Sequence, residues 1–97
     1  MRAAWYERQG PAAEVLTVGD LPDPVPGEGE VLVRITRSGQ NPIDTKRRAG
    51  GPPMAYPRII PGFDGAGVIE AVGPGVDAGR KGERVWVWEG QLGRAMG

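Results

Sequence analysis

The chain of 97 residues contains no cysteine and no histidine. Without thiolate or imidazole, the two side chains that dominate zinc sites are missing, which argues against any zinc centre. Disulfides, a cysteine nucleophile and a Ser-His-Asp triad are excluded with them. An excess of either charge is lacking too, since 12 Lys and Arg balance 12 Asp and Glu. A dedicated nucleic-acid binder would carry a basic surplus. Long apolar runs are also missing. None approaches the roughly 18 residues of a membrane span, and the stretch from Met1 to Glu7 has no apolar signal core. The expectation is a cytoplasmic domain with neither membrane nor nucleic acid as partner.

What is plentiful is glycine, at 17 residues, and proline, at 10. Such a composition would read as disorder if apolar runs did not recur between the turn residues. Val31-Leu32-Val33 and Val85-Trp86-Val87-Trp88 are such runs. The pattern predicts an all-β domain of five or six short strands, as a small barrel or sandwich. Strands are expected over Arg2 to Glu7, Ala13 to Val18, Glu30 to Ser38, Gly65 to Val72 and Glu83 to Glu89. In the third of these, Val31, Val33 and Ile35 alternate with Leu32, Arg34 and Thr36, placing the first set on a buried face. The segment from Leu21 to Gly29 carries three prolines, which remove ladder donors, so it reads as an extended linker closed by a Pro-Gly turn. Gly50 to Pro57 is an irregular loop, and Gly73 to Gly82 a long turn.

One short helix has both ends marked. Asn41 is a strong N-cap type, Pro42 sits at N1, and Asp44 at N3 faces the positive helix end. Lys46, Arg47 and Arg48 occupy the last turn, and Gly50 supplies the left-handed residue that ends it.

Three motifs invite a chemical reading. Gly62-Phe63-Asp64-Gly65-Ala66-Gly67 looks like a phosphate-cradling loop, but a β-branched run follows it where a helix N-terminus would be needed. Its glycines are better explained by close backbone approach or a bulge. The aromatics Trp5, Tyr6, Tyr56, Phe63, Trp86 and Trp88 could form a base-stacking platform. Core or interdomain packing explains them without the basic groove that such a platform requires. The third motif is Asn41-Pro42-Ile43-Asp44-Thr45. Capping accounts for Asn41, Pro42 and Asp44, yet this order after a strand and Ser38-Gly39 is more particular than a cap requires.

Taken with Pro61 to Gly73 and with Gly82-Glu83-Arg84-Val85-Trp86, that motif resembles the N-terminal GroES-like domain of the medium-chain dehydrogenase/reductase superfamily. The zinc-free, quinone oxidoreductase (zeta-crystallin-like) branch is the one it resembles. The resemblance runs from Met1 to about Gly97, so residues 1–97 are expected to form one such domain. It implies a GroES-like, partly open β-barrel with one or two short helices, forming one wall of a cleft. It also implies a separate Rossmann domain, absent from this chain, that holds NADPH for hydride transfer to a quinone or enone-type acceptor.

Residue by residue, the resemblance matches Asn41 and Phe63 to the positions where zinc-dependent relatives carry Cys and His. Asn41 is thereby the candidate catalytic residue, an amide donor to oxygen on the acceptor. Asn41, Asp44, Lys46 and Phe63 are expected to line the cleft, and Asp44 to hold the helix start. Asp64 takes a structural role, pairing with a cation such as an arginine, and no metal is expected. Branch members often have tyrosine where Lys46 stands; Lys46 would attract a cofactor phosphate or quinone oxygen, or remain a solvated cation. By itself the chain is expected to be inactive, because it cannot hold the nicotinamide. Apolar surface at Trp86, Trp88 or Phe63 is expected to drive self-association or homodimer formation. The alternative from another class is a non-catalytic GroES-like assembly or interaction module, and a third is a single-strand nucleic-acid barrel.

Overall fold

The computed structural model describes residues 1–90; the end of the expected domain, 91–97, lies outside the described residues. In chain order the elements are β1 (Arg2–Trp5), α1 (Ala12–Val15), β2 (Thr17–Asp20), β3 (Val31–Ser38), α2 (Pro42–Ala49), β4 (Gly65–Val72), a 3-10 turn (Ala78–Arg80) and β5 (Arg84–Val87). They form two sheets, an antiparallel β1-β2 pair and an antiparallel sheet of order β3-β4-β5. The architecture is therefore sheet-dominated with two short helices, as expected for a GroES-like domain. The two sheets stay open among the described residues, in keeping with the partly open barrel expected. Tyr6, just past β1, forms an isolated bridge with Ile59 in the segment before β4, their main chains exchanging hydrogen bonds of 2.9 and 3.0 Å.

The expected second strand is the clearest correction. Ala13 to Val15 belong to one helical turn, and the strand begins only at Thr17. Pro11 caps that turn and its carbonyl accepts the N–H groups of Glu14 and Val15 at 3.0 and 3.1 Å. Proline costs nothing before the first turn, and Ala-Ala-Glu are strong helix formers. The turn places Val15 inside, so its burial satisfies the same apolar signal that a strand would have used.

The linker behaves as its prolines dictate, and no strand forms from Leu21 to Glu30. Its terminal turn docks on the β4 turn, through Gly29 N–H to the Pro74 carbonyl and Gly73 N–H to the Glu30 carbonyl, each 2.8 Å.

In the three-stranded sheet the β3–β4 register slips twice. Leu32 faces Ala71 while Val33 faces Ile69, and Ile35 faces Gly67 while Arg37 faces Ala66. Glu70 and Thr36 are thus extra residues, and each bulge adds local twist. The simple alternation expected for β3 is not observed, since Val31, Leu32 and Val33 are all half-buried. Ile35 is 47% exposed instead of buried, because beyond Val33 the strand runs out over the small side of β4, at Gly67 and Gly65. Among the described residues the most deeply buried side chains are Tyr6 and Ile69, and Val15 and Leu21 are also buried. Val85 and Val87 are half-buried on one face of β5, whereas Trp86 and Trp88 on the other are 77% and 70% exposed.

Candidate functional site

The helix α2 forms as its end signals require. Asp44 Oδ2 accepts the Asn41 backbone N–H at 3.0 Å, and Asp44 N–H donates to the Asn41 main-chain carbonyl at 3.0 Å. The Asn41 side chain faces the same N–H in a capping-box arrangement that stops short of a full hydrogen bond. At the other end Gly50, with φ 127°, donates to the Lys46 carbonyl. Gln9 and Gly10 clamp that end: Gln9 Nε2 donates to the carbonyls of Arg47 and Pro52, both at 2.8 Å, and Gly10 N–H to the Arg48 carbonyl at 2.8 Å.

Two aspartates lace the Pro61 to Asp64 loop to the helix and to the end of β5. Asp44 Oδ1 accepts the N–H of Gly62 at 3.2 Å, and Gly62 supplies the φ of 119° that the turn requires. Asp64 Oδ2 accepts the Asn41 side-chain Nδ2 at 2.9 Å, and Oδ1 the Glu89 backbone N–H at 3.3 Å. The Asp64 carbonyl takes the Gly39 N–H at 2.9 Å, and the Phe63 carbonyl that of Gly90 at 2.8 Å. Each of the four carboxylate oxygens therefore accepts one N–H, so both acids act here as acceptors for the protein's own donors.

Asn41, Asp44, Phe63 and Asp64 come together in this way, all half-buried. Lys46 does not join them; it is exposed on the last turn of α2 and pairs with no acid among the described residues. The expected cation partner of Asp64 is also replaced. Among the described residues its carboxylate meets an amide and a backbone N–H, because the helix start brings Asn41, and no arginine, to that side.

Two residues in the cluster have little signal in the sequence. The helix dipole accounts for Arg47, yet its guanidinium lies 5.0 Å from the Phe63 ring centre, a cation–π distance. The available signal was its spacing, since Asp44 and Arg47 are three apart and share a helix face. Glu89 carries no sequence signal; with φ 53° it is the one described non-glycine residue with positive φ. Next to the cluster, burial pushes the Tyr6 phenol above its ordinary value near 10, with Arg47 pulling it down and Asp44 raising it further.

The glycine motif is structural. Gly65 and Gly67 lie within β4, and a Cβ on Gly67 would sit 2.0 Å from the Arg34 carbonyl oxygen. Strand β4, and no helix, directly follows this loop, so the loop does not lead into a helix N-terminus that could face a dinucleotide. The aromatics do not assemble into one platform. Tyr6 is buried, Trp5 lies under the Arg58 guanidinium at 5.6 Å, and Phe63 lies against Arg47. No helix among the described residues is long and apolar enough to cross a membrane.

Residues 27–95 match the alcohol dehydrogenase GroES-like domain family. A quinone oxidoreductase of Lama guanicoe is 39% identical over 90 residues, which cover 89% of this chain and 26% of the relative. A mycobacterial structure complexed with NADPH superposes with a TM-score of 0.79 at 34% identity, covering 92% of this chain and 28% of that one. A cobalt- and zinc-bound thermostable alcohol dehydrogenase from Pyrobaculum aerophilum gives 0.73 at 40% identity, covering 89% and 26%. The chain spans about a quarter of the length of these relatives.

Proposed function

The chain belongs to the alcohol dehydrogenase GroES-like domain family, and on that premise we propose that it forms the substrate-side wall of an NADPH-dependent quinone or activated-alkene oxidoreductase. The observation that carries the reading is the Asn41 amide, held at the start of α2 by the Asp64 carboxylate at 2.9 Å. Its second Nδ2–H has no partner among the described residues. Similarity to a quinone oxidoreductase and to an NADPH complex supports the choice of acceptor and cofactor.

The donor set of this chain fits a cleft wall rather than a dinucleotide clamp. It offers one oriented amide and a half-buried phenyl ring, and Gly65 and Gly67 lie where β4 runs close against the β3 backbone. The pyrophosphate and ribose of NADPH therefore belong to a separate Rossmann domain. Bound there, the nicotinamide would supply hydride, a hydrogen with two electrons, to the acceptor. Negative charge then develops on the acceptor oxygen, and a fixed Asn41 N–H stabilises it without reorganising. Phe63, flanked by Arg47, presents an apolar ring to a flat acceptor. Asp44 holds the helix start, and Lys46 remains a solvated cation at the helix end.

The reading is zinc-free. Asn41 and Phe63 stand where the resemblance places zinc ligands, neither an amide nor a phenyl ring is a zinc ligand of choice, and the chain has no Cys or His. A cytoplasmic location accords with the same absence of thiols. The test has two arms. Titration of NADPH into the 97-residue chain is expected to show no micromolar binding and no quinone reduction. In the complete enzyme, with a nicotinamide-binding domain, Asn41→Ala is expected to lower kcat about 10- to 100-fold. Micromolar binding to this chain, or an unchanged kcat in the variant, would refute the reading.

A further inference from the structure

We propose that Asp64 is the positioning residue for Asn41: its carboxylate sets the rotation of the amide, so that an N–H and not the carbonyl oxygen is left for the acceptor. This rests on the reading of Asn41 given above. The two ends of an asparagine amide have nearly the same shape, and a half-turn exchanges donor and acceptor at little steric cost. A site that needs a donor must therefore pin the rotation. An ionised carboxylate can only accept, so Asp64 Oδ2 at 2.9 Å must face Nδ2. The flipped amide would press two oxygens together and lose a charge-assisted bond. The Asp44 N–H on the helix side faces the Asn41 side chain and favours Oδ1 there. Both neighbours select the same rotation.

Asp64 is itself held in place. Its carbonyl binds the Gly39 N–H at 2.9 Å and its Oδ1 the Glu89 N–H at 3.3 Å. Glu89 adopts φ 53°, a conformation that glutamate enters only at a cost. Such residues persist where their surroundings over-determine them and cluster at functional sites. At the end of β5 this conformation coincides with the N–H groups of Glu89 and Gly90 both donating to the Phe63–Asp64 loop. The Gly39 loop thus holds the Asp64 main chain and the strand end its carboxylate, which resists following a turn of the amide.

In the 97-residue chain, NMR is expected to detect scalar coupling across the hydrogen bond from Asn41 Nδ2 to the Asp64 carboxyl carbon. Its absence at a pH where carboxylates are ionised would overturn the proposal, whether or not any variant folds. In the complete enzyme, Asp64→Asn is expected to lower kcat about tenfold with KM changed less than about twofold. Asp64→Glu is expected to recover most of that loss, and Asp64→Asn is expected to add nothing once Asn41 is already alanine. An unchanged kcat in Asp64→Asn, beside a large loss in Asn41→Ala, overturns the role of Asp64 alone. Full additivity of the two substitutions does the same, whereas an unchanged kcat in Asn41→Ala overturns the underlying reading of Asn41.

Discussion

Replacing Gly67 with alanine tests the strand crossing on which the site loop rests. The added Cβ would stand 2.0 Å from the Arg34 carbonyl oxygen, 2.8 Å from its carbon and 3.0 Å from the Ile35 Cα. All three obstacles are backbone, so no side chain can swing away, and β3 and β4 must part by about 1 Å to restore ordinary contact. The strain of overpacking costs about 1–3 kcal/mol, and two loosened ladder bonds about 1 kcal/mol each. Alanine recovers up to about 1 kcal/mol through the unfolded chain. The net loss is about 3 kcal/mol, a large share of the stability of a small domain. With a urea slope of about 1 kcal/mol/M, the midpoint followed by tryptophan fluorescence falls by about 3 M. Gly75→Ala is the control. Its φ of 83° is strained for alanine, but no atom lies within 4 Å of the new Cβ, so only a conformational cost of about 1 kcal/mol applies. Equal midpoints for the two variants would refute the argument, and the β3–β4 register with it.

Other outcomes follow from burial, charge and exposure. Ile69 is 1% exposed, so Ile69→Ala is expected to cost about 2–5 kcal/mol, read as a lower thermal midpoint. The raised phenol of Tyr6 makes stability depend on pH in the alkaline range. Above pH about 10 the unfolded chain releases this proton while the folded one keeps it, so stability declines until the folded phenol also ionises. Urea midpoints measured at rising alkaline pH should show that decline in the parent and a weaker one in Tyr6→Phe; matching slopes would contradict it. Trp86 in the edge strand β5 and Trp88 just past its end, 77% and 70% exposed, are expected to drive self-association. Light scattering should show concentration-dependent growth that the double replacement by serine abolishes, and a monodisperse parent at millimolar concentration would refute this.

The fold was legible in the sequence wherever a local rule acts alone. The α2 boundaries followed from Asn41, Pro42, Asp44 and Gly50, since capping needs only the few residues around each end. β4 followed from its apolar run between glycines, and the proline-rich linker from missing donors. Misreadings arose where a longer-range interaction decided the outcome. Ala13 to Val15 carry the same apolar signal in a helical turn as in a strand, and packing of Val15 chose between them. Ile35 loses its expected burial because it lies against Gly67 and Gly65 of β4, which offer no side chain to cover it, and what it meets depends on the partner strand.

The same division runs through the candidate site. Composition by itself determined that no thiol or imidazole chemistry can occur in this chain. The motif order determined the family. Only the tertiary structure decided that Asp64 binds an amide in place of a cation, that Arg47 lies over Phe63, and that Lys46 stays in solvent. The physical reason is distance along the chain: Asn41 and Asp64 are 23 residues apart, and Asp64 and Glu89 are 25 apart. Bonds between such residues exist only after helix, loop and strand end are brought together, and no local propensity encodes them.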